Sequence, residues 1–132
     1  MARPIPVPSA ESRPFWSAAS AGELHLPRCR NCGNLHYPPP ARCPECLTEA
    51  LHWEQLSGRG RLWSWTEIFV EAIPGFEPPI LVTQVELAEQ QGLVLTAGGD
   101  SREIPALTLG SEVQLCFTEP VDGFRFPLAR PA

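Results

Sequence analysis

The second half of the chain alternates short apolar runs with clusters of turn-forming residues. Runs rich in β-branched and aromatic residues and bounded by Gly, Pro, Asn, Asp or Ser are typical of β-strands. The clearest alternation lies near the C-terminus, where Val113, Leu115 and Phe117 share one face. The predicted strands are Ala50–Leu56, Arg61–Val70, Ile80–Leu87, Leu93–Gly98, Ser111–Thr118 and Phe124–Pro127. Five or six short strands in about 80 residues favour a small barrel, because a sandwich usually needs about seven strands and 100 residues.

The first 22 residues predict an arm followed by a short helix. Alternating prolines predict that residues 1–8 are extended and poorly ordered. Ser9 or Ser12 can cap the helix, with Pro14 in its first turn and Gly22 just beyond its end.

This helix carries two adjacent large aromatic residues, Phe15 and Trp16. A helix this short needs a surface to pack on. The sequence leaves two surfaces open: an apolar face of this same chain, or another subunit.

Between the helix and the barrel lies a segment with two cysteine pairs. Leu24-His25-Leu26 and Leu35-His36-Tyr37 predict short strands that lead into and out of the first pair. The chain is therefore divided into an N-terminal arm and helix (1–22), a cysteine-bearing ribbon (23–50) and a barrel (51–132).

The cysteine spacing is the strongest chemical signal in the chain. Cys29 and Cys32 form one Cys-x-x-Cys knuckle, and Cys43 and Cys46 form another. Two such knuckles can supply a tetrahedron of thiolates, which suits zinc. Four thiolates leave no open position for water or substrate, so we expect a structural zinc ion. A ribbon without metal and a redox dithiol are the alternatives, although the βαβ context of a thioredoxin-type motif is missing.

The charge of the chain argues against several function classes. The formal net charge is −5, and all ten cations are arginine. An acidic chain is a poor match for non-specific nucleic-acid binding, which depends on neutralising phosphates. No apolar run approaches a membrane span, and no apolar signal region follows Met1. We therefore expect a cytoplasmic protein that binds neither nucleic acid nor membrane.

Three of the arginines, Arg28, Arg30 and Arg42, cluster in the ribbon. They either offset the negative charge of the thiolate cluster or form a phosphate-binding patch. The sequence leaves both open.

No group of residues in the sequence assembles a reaction centre. The three histidines, His25, His36 and His52, lie in or beside the ribbon strands, and Cys116 stands alone in a strand. The glycine-containing turn at residues 57–60 has no helix after it, so it is a weak phosphate loop. We expect the chain on its own not to be an enzyme.

Taken together, these motifs resemble those of a known family. The chain resembles the zinc-ribbon plus OB-fold proteins that partner acyl-CoA thiolases, thiolase-like aldolases and hydratases. The resemblance is carried by Pro14-Phe15-Trp16, the two knuckles with Pro38–Arg42 between them, Ser57-Gly58-Arg59-Gly60 with the strand to Thr66, Ile73-Pro74-Gly75-Phe76 with Pro79, and Phe124-Arg125-Phe126-Pro127. One departure is that Leu47-Thr48 follows the second knuckle in place of the more usual glycine.

The resemblance implies a mainly β fold with an N-terminal helix, a rubredoxin-like zinc ribbon and a five- to six-stranded OB-fold barrel. It also implies a non-catalytic subunit that stabilises an acyl-CoA enzyme and helps to bind the CoA arm, with zinc as its cofactor. Such pairs serve aromatic-acid and steroid degradation. Partner contacts are expected at Phe15 and Trp16. CoA contacts are expected at Arg28, Arg30, Arg42, Arg59 and Phe76.

One rival function remains open at this point. OB-folds often bind single-stranded nucleic acid on stacked aromatic residues. Trp63, Trp65 and Phe69 could form such a platform.

Overall fold

Two separate β-structures follow a single short helix in the computed structural model, which describes residues 3–132. The mainly β class predicted from the sequence is confirmed. The elements in chain order are α1 (Arg13–Ser20), β1 (Leu24–Cys29), β2 (Leu51–Leu56), β3 (Arg59–Ile68), β4 (Ile80–Leu87), β5 (Val94–Gly99), β6 (Glu112–Phe117) and β7 (Pro127–Pro131).

The helix begins and ends where the sequence signals lie. Ser12 is the N-cap residue, and a proline occupies the first turn. At the C-terminal end the Gly22 N–H bonds to the Ala19 carbonyl, and the Glu23 N–H bonds to the Ala18 carbonyl. This is a Schellman motif, which requires Gly22 at its observed φ of 78°.

Strands β1 and β2 form a two-stranded antiparallel sheet that runs from Leu24↔Leu56 to Cys29↔Leu51. The segment 35–37, predicted as a strand, makes only one isolated bridge, Arg28↔Leu35. The strand that pairs along β1 therefore comes from beyond the second cysteine pair: β2 takes one edge of β1, and Leu35 bridges Arg28 on the other edge.

The remaining five strands form a closed barrel in the order β3-β4-β5-β7-β6. The barrel closes at the start of β3, where Arg59–Arg61 pairs with β6 on one side and Gly60 and Arg61 pair with β4 on the other. Gly60 is required there, because a Cβ atom would lie 2.5 Å from the Glu86 carbonyl oxygen.

The last strand is displaced from its predicted position. The sequence predicts a strand at Phe124–Pro127, but β7 begins at Pro127, and Phe124 lies in a tight turn bridged to Val121. The segment contains two phenylalanines because they pack on the helix. Trp16 packs edge-on against Phe124 and Phe126, with ring centroids 5.9 and 5.7 Å apart.

A single apolar core runs through both β-structures. It includes Leu26 and Leu35 of the ribbon together with Leu62, Val85 and Leu95 of the barrel. The side-chain amide of Gln90, in the turn between β4 and β5, also reaches the ribbon. It accepts from the Leu35 N–H at 2.8 Å and donates to the Leu35 carbonyl at 2.9 Å. These contacts hold the ribbon and the barrel together.

Candidate metal centre and its surroundings

The two knuckles adopt the same backbone conformation. In the first, the Gly33 N–H bonds to the Cys29 carbonyl, and the Cys29 N–H bonds to the Asn34 carbonyl. In the second, Leu47 bonds to Cys43 and Cys43 bonds to Thr48 in the same way.

Both turns need a left-handed residue at the equivalent position. Gly33 has a φ of 79° and Leu47 a φ of 62°. Leu47 thus takes the conformation that glycine normally supplies, and its side chain is 71% exposed. Leucine at this position therefore carries the local cost of a left-handed conformation, about 1–2 kcal/mol, while most of its side chain lies in solvent.

The four cysteine sulfurs converge on one point. The Sγ atoms of Cys29, Cys32, Cys43 and Cys46 all lie within 4.8 Å of one another. The Sγ atoms of Cys29 and Cys46 are 3.4 Å apart, and those of Cys32 and Cys43 are 3.5 Å apart. A zinc tetrathiolate has Zn–S bonds of about 2.3 Å, so its sulfur–sulfur edges are roughly 3.8 Å. The donor set therefore fits a zinc ion.

Two side chains outside this tetrahedron contact the sulfurs. The Thr48 hydroxyl lies 3.3 Å from the Cys46 sulfur and 3.6 Å from the Cys29 sulfur. Its hydrogen bond is the main reason that the pKa of Cys46 is lowered to about 6. His36 Nε2 lies 3.3 Å from the Cys43 sulfur. The sequence reasoning missed both contacts; the only signal was the position of Thr48 two residues after the last cysteine.

The arginine that precedes each knuckle binds within this chain. Arg28 donates to Glu54 through Nε at 2.9 Å and Nη2 at 2.7 Å, and through Nη1 to the Gly33 carbonyl at 2.7 Å. Its ion pair lowers the pKa of Glu54. Arg42 lies 2.9 Å from Glu49 and donates to the Leu47 carbonyl at 3.4 Å. Each arginine thus braces the left-handed residue of its own knuckle.

Of the other residues expected to contact CoA, two are free and one is covered. In the described part of the chain, Arg30 and Arg59 make no ion pair. Arg59 lines a cavity of about 500 Å³ at the barrel closure, together with Arg61. Phe76 lies beneath the Arg3 guanidinium, which is 4.4 Å from its ring centroid and 3.6 Å from that of Phe126. The arm that the sequence predicts to be poorly ordered is therefore anchored at Arg3, while its first two residues lie outside the described part.

The aromatic pair of the helix packs inside this chain. Phe15 is 5% exposed and belongs to the core, with Trp16 and Tyr37 ring centroids at 5.1 and 6.1 Å. Both aromatic residues therefore pack against an apolar face of this same chain, which is one of the two surfaces that the sequence left open.

Each of the remaining nucleophile and base candidates lies beside a carboxylate or a backbone carbonyl. His25 contacts Glu23 at 2.9 Å, and His52 lies 3.9 Å from Glu54. The Cys116 thiol donates to the Leu128 carbonyl at 3.4 Å, and burial raises its pKa. Within residues 3–132, no helix has the length and apolar character needed to cross a membrane.

Comparisons with known proteins cover nearly the whole chain. The family model described as "ChsH2, rubredoxin-like zinc ribbon domain" matches residues 16–52. The model described as "ChsH2, C-terminal OB-fold domain" matches residues 53–118. The OB-fold expectation for the barrel and the zinc cofactor expectation for the ribbon are both confirmed.

Several curated proteins contain a region similar to this chain. A probable enoyl-CoA hydratase alpha subunit from Thermomonospora curvata is 30% identical over 98% of this chain and 40% of its own length. The benzoylsuccinyl-CoA thiolase subunit BbsA of Thauera aromatica is 34% identical over 47% of this chain and 42% of its own length. The chain thus spans about two fifths of the length of these relatives.

Solved structures extend the comparison to the whole architecture. A chain of the structure titled "Ltp2-ChsH2(DUF35) aldolase" superposes with a TM-score of 0.85 at 27% identity, covering 96% of this chain and 98% of that one. A DUF35-family protein of unknown function from Sulfolobus solfataricus has a TM-score of 0.61 at 13% identity, which shows a shared fold. By its ribbon, its barrel and these matches, the chain belongs to the ChsH2 family of zinc-ribbon plus OB-fold proteins.

Proposed function

We propose that this chain is a non-catalytic accessory subunit of a thiolase-like acyl-CoA enzyme, which it stabilises and whose CoA ester it helps to bind. The observation that carries the proposal is the full-length similarity to a chain of the Ltp2-ChsH2 aldolase. The similarity to a subunit of a benzoylsuccinyl-CoA thiolase supports the same class of partner. The hydratase subunit is a weaker guide, because this chain spans only 40% of its length.

The donor set of the metal site supports a subunit that does not itself catalyse a reaction. The cysteine tetrahedron offers four sulfur donors, so a bound zinc ion has no open position for a substrate. A bound zinc ion stabilises the fold of a ribbon that has little hydrophobic core of its own. Cysteine thiolates that bind zinc must stay reduced, which is typical of a reducing compartment, so we place the protein and its partner in the cytoplasm.

Co-expression with the Ltp2 aldolase subunit tests this function. We expect the two chains to purify together, and the solubility or aldolase activity of Ltp2 to rise when this chain is present. The purified chain alone should not turn over an acyl-CoA ester. Turnover by the chain alone, or a failure of the two proteins to associate, would reject the accessory role.

Within the complex, we propose that Arg30 and Arg59 hold phosphates of CoA. Both are exposed and free of ion pairs in the described chain, whereas Arg28 and Arg42 are engaged with the knuckles. The guanidinium group suits phosphate because it donates two parallel hydrogen bonds.

A charge-reversal experiment separates these arginines from the general charge of the protein. The double variant Arg30→Glu/Arg59→Glu should weaken CoA binding by the complex at least tenfold, with assembly unchanged. Arg13→Glu is the matched control, since Arg13 is also exposed and free of ion pairs. If the double variant and the control bind CoA equally well, Arg30 and Arg59 do not hold the CoA phosphates.

A further inference from the structure

Beyond the point where the barrel closes, the second half of β3 has one unpaired edge. Residues Ser64–Ile68 pair with β4, but the pairing of β3 with β6 stops at Arg61. Two further backbone hydrogen bonds end the closure: the Leu62 N–H donates to the Ser111 carbonyl, and the Gly110 N–H donates to the Leu62 carbonyl. The other edge of residues 64–68 therefore presents unpaired backbone N–H and C=O groups. Such an edge is a template for strand addition.

Large apolar side chains lie at both ends of this open edge. Trp63 is 54% exposed, Phe69 73% and Val70 67%. Trp63 occupies a β-bulge, because Leu62 pairs with Val85 and Ser64 with the next residue, Gln84. A bulge redirects a side chain, here toward solvent. With Trp65, which is 37% exposed, four large apolar side chains are exposed within residues 63–70, a density that is typical of an interaction site.

The charge around the edge favours a basic partner segment. The open half of β3 and the loop after it, residues 62–79, contain three glutamates, Glu67, Glu71 and Glu77, and no arginine, whereas Arg59 and Arg61 lie in the closed half of the strand. None of these carboxylates forms an ion pair within the described part of the chain. They disfavour a nucleic-acid strand, whose phosphates they repel. A second copy paired antiparallel about Thr66, the middle residue of this edge, would place each Glu67 opposite Trp65 of the other copy and the two Glu67 carboxylates as diagonal neighbours of like charge, which gives this pairing no favourable charge contact.

We propose that the open edge of β3, residues Ser64–Ile68 with Trp63 and Phe69 at its two ends, binds an extended apolar segment of the thiolase-like partner by strand addition. The partner segment carries basic residues that face Glu67 and Glu71. Trp63 and Phe69 anchor its side chains. This inference rests on the proposed function and adds to it the surface and the mode of contact.

Affinity measurements with the Ltp2 aldolase subunit as probe test the surface. Phe69→Glu and Glu67→Arg should each weaken binding at least tenfold. The matched controls are Val7→Glu, an exposed apolar residue of the arm, and Glu119→Arg, an exposed carboxylate of the barrel. Both controls should bind within twofold of the wild type. An unchanged melting temperature shows that each variant is folded.

Hydrogen exchange tests the strand pairing itself. Backbone amides of residues 63–69 that exchange rapidly in the free chain should become protected in the complex. If the complex forms but these amides stay unprotected, or Phe69→Glu binds like the wild type, the inference is overturned and the accessory role stands. If the wild type does not bind Ltp2, both fall together.

Binding of a second copy of the chain, or of nucleic acid, at this edge of β3 would give a different result in each case. Light scattering that shows a wild-type dimer and a Phe69→Glu monomer would assign the edge to a second copy. Salt-sensitive oligonucleotide binding that is lost in Trp63→Glu would assign it to nucleic acid. Either result overturns the proposal.

Discussion

The ion pair between Arg28 and Glu54 should stabilise the ribbon by an amount that can be calculated and measured. Three hydrogen bonds of 2.7–2.9 Å join Arg28 to Glu54 and to the Gly33 carbonyl. Buried hydrogen bonds to charged groups contribute about 1.5–3 kcal/mol. Because the two side chains are 31% and 32% exposed, solvent screening reduces the expected pair coupling to about 1 kcal/mol.

A double-mutant cycle isolates this coupling. Arg28→Ala, Glu54→Ala and the double variant are unfolded with urea at saturating zinc, and the transition is followed by tryptophan fluorescence. Arg28→Ala should cost about 1–2 kcal/mol, which lowers the melting temperature by roughly 3–6 °C. The same cycle for Arg102 and Asp100 is the control, since the Arg102 side chain is 91% exposed and should show no measurable coupling.

The pH dependence follows from the lowered pKa of Glu54. A carboxyl group with a depressed pKa in the folded state stabilises the protein above its unfolded pKa of about 4.3. That contribution is lost as the pH falls through the lower folded pKa. The coupling should therefore be constant from roughly pH 6 to 8. A coupling near zero, together with weaker CoA binding by Arg28→Ala, would show that Arg28 binds the ligand and does not brace the ribbon.

Three further predictions concern the metal, the barrel and nucleic acid. Cys43→Ser should lose zinc, measured by elemental analysis, and unfold the ribbon locally because a hydroxyl is a poor substitute for a thiolate; Cys116→Ser should keep full zinc content. Gly60→Ala should destabilise the barrel by about 2–3 kcal/mol in urea unfolding because its Cβ meets backbone, whereas Gly98→Ala, with its nearest atom at 3.6 Å, should cost less. Single-stranded DNA should not bind with sub-micromolar affinity at physiological salt, measured by fluorescence anisotropy, because the chain is net negative.

The cysteine site shows which features of a metal centre can be predicted from residue spacing alone. Two Cys-x-x-Cys pairs determine four ligands regardless of the rest of the fold, because each pair closes its own turn. The sequence could not show that Thr48 and His36 contact the sulfurs, since these contacts depend on how the two knuckles face each other. It also left the roles of Arg28 and Arg42 open. Whether an arginine binds a carboxylate or a phosphate depends on which groups the folded chain places beside its guanidinium.

By itself, the sequence determined the mainly β class, the zinc ligands and the short helix with its terminating Gly22. These features rest on local periodicity and on chelation between residues close in the chain. Only the tertiary structure decided that β1 pairs with β2, that Phe15 is covered by its own chain, and that β3 keeps one edge open. Such outcomes depend on contacts between distant residues, and the same apolar pattern permits several of them. Packing selects among them by burying the largest apolar area with every backbone group inside it satisfied.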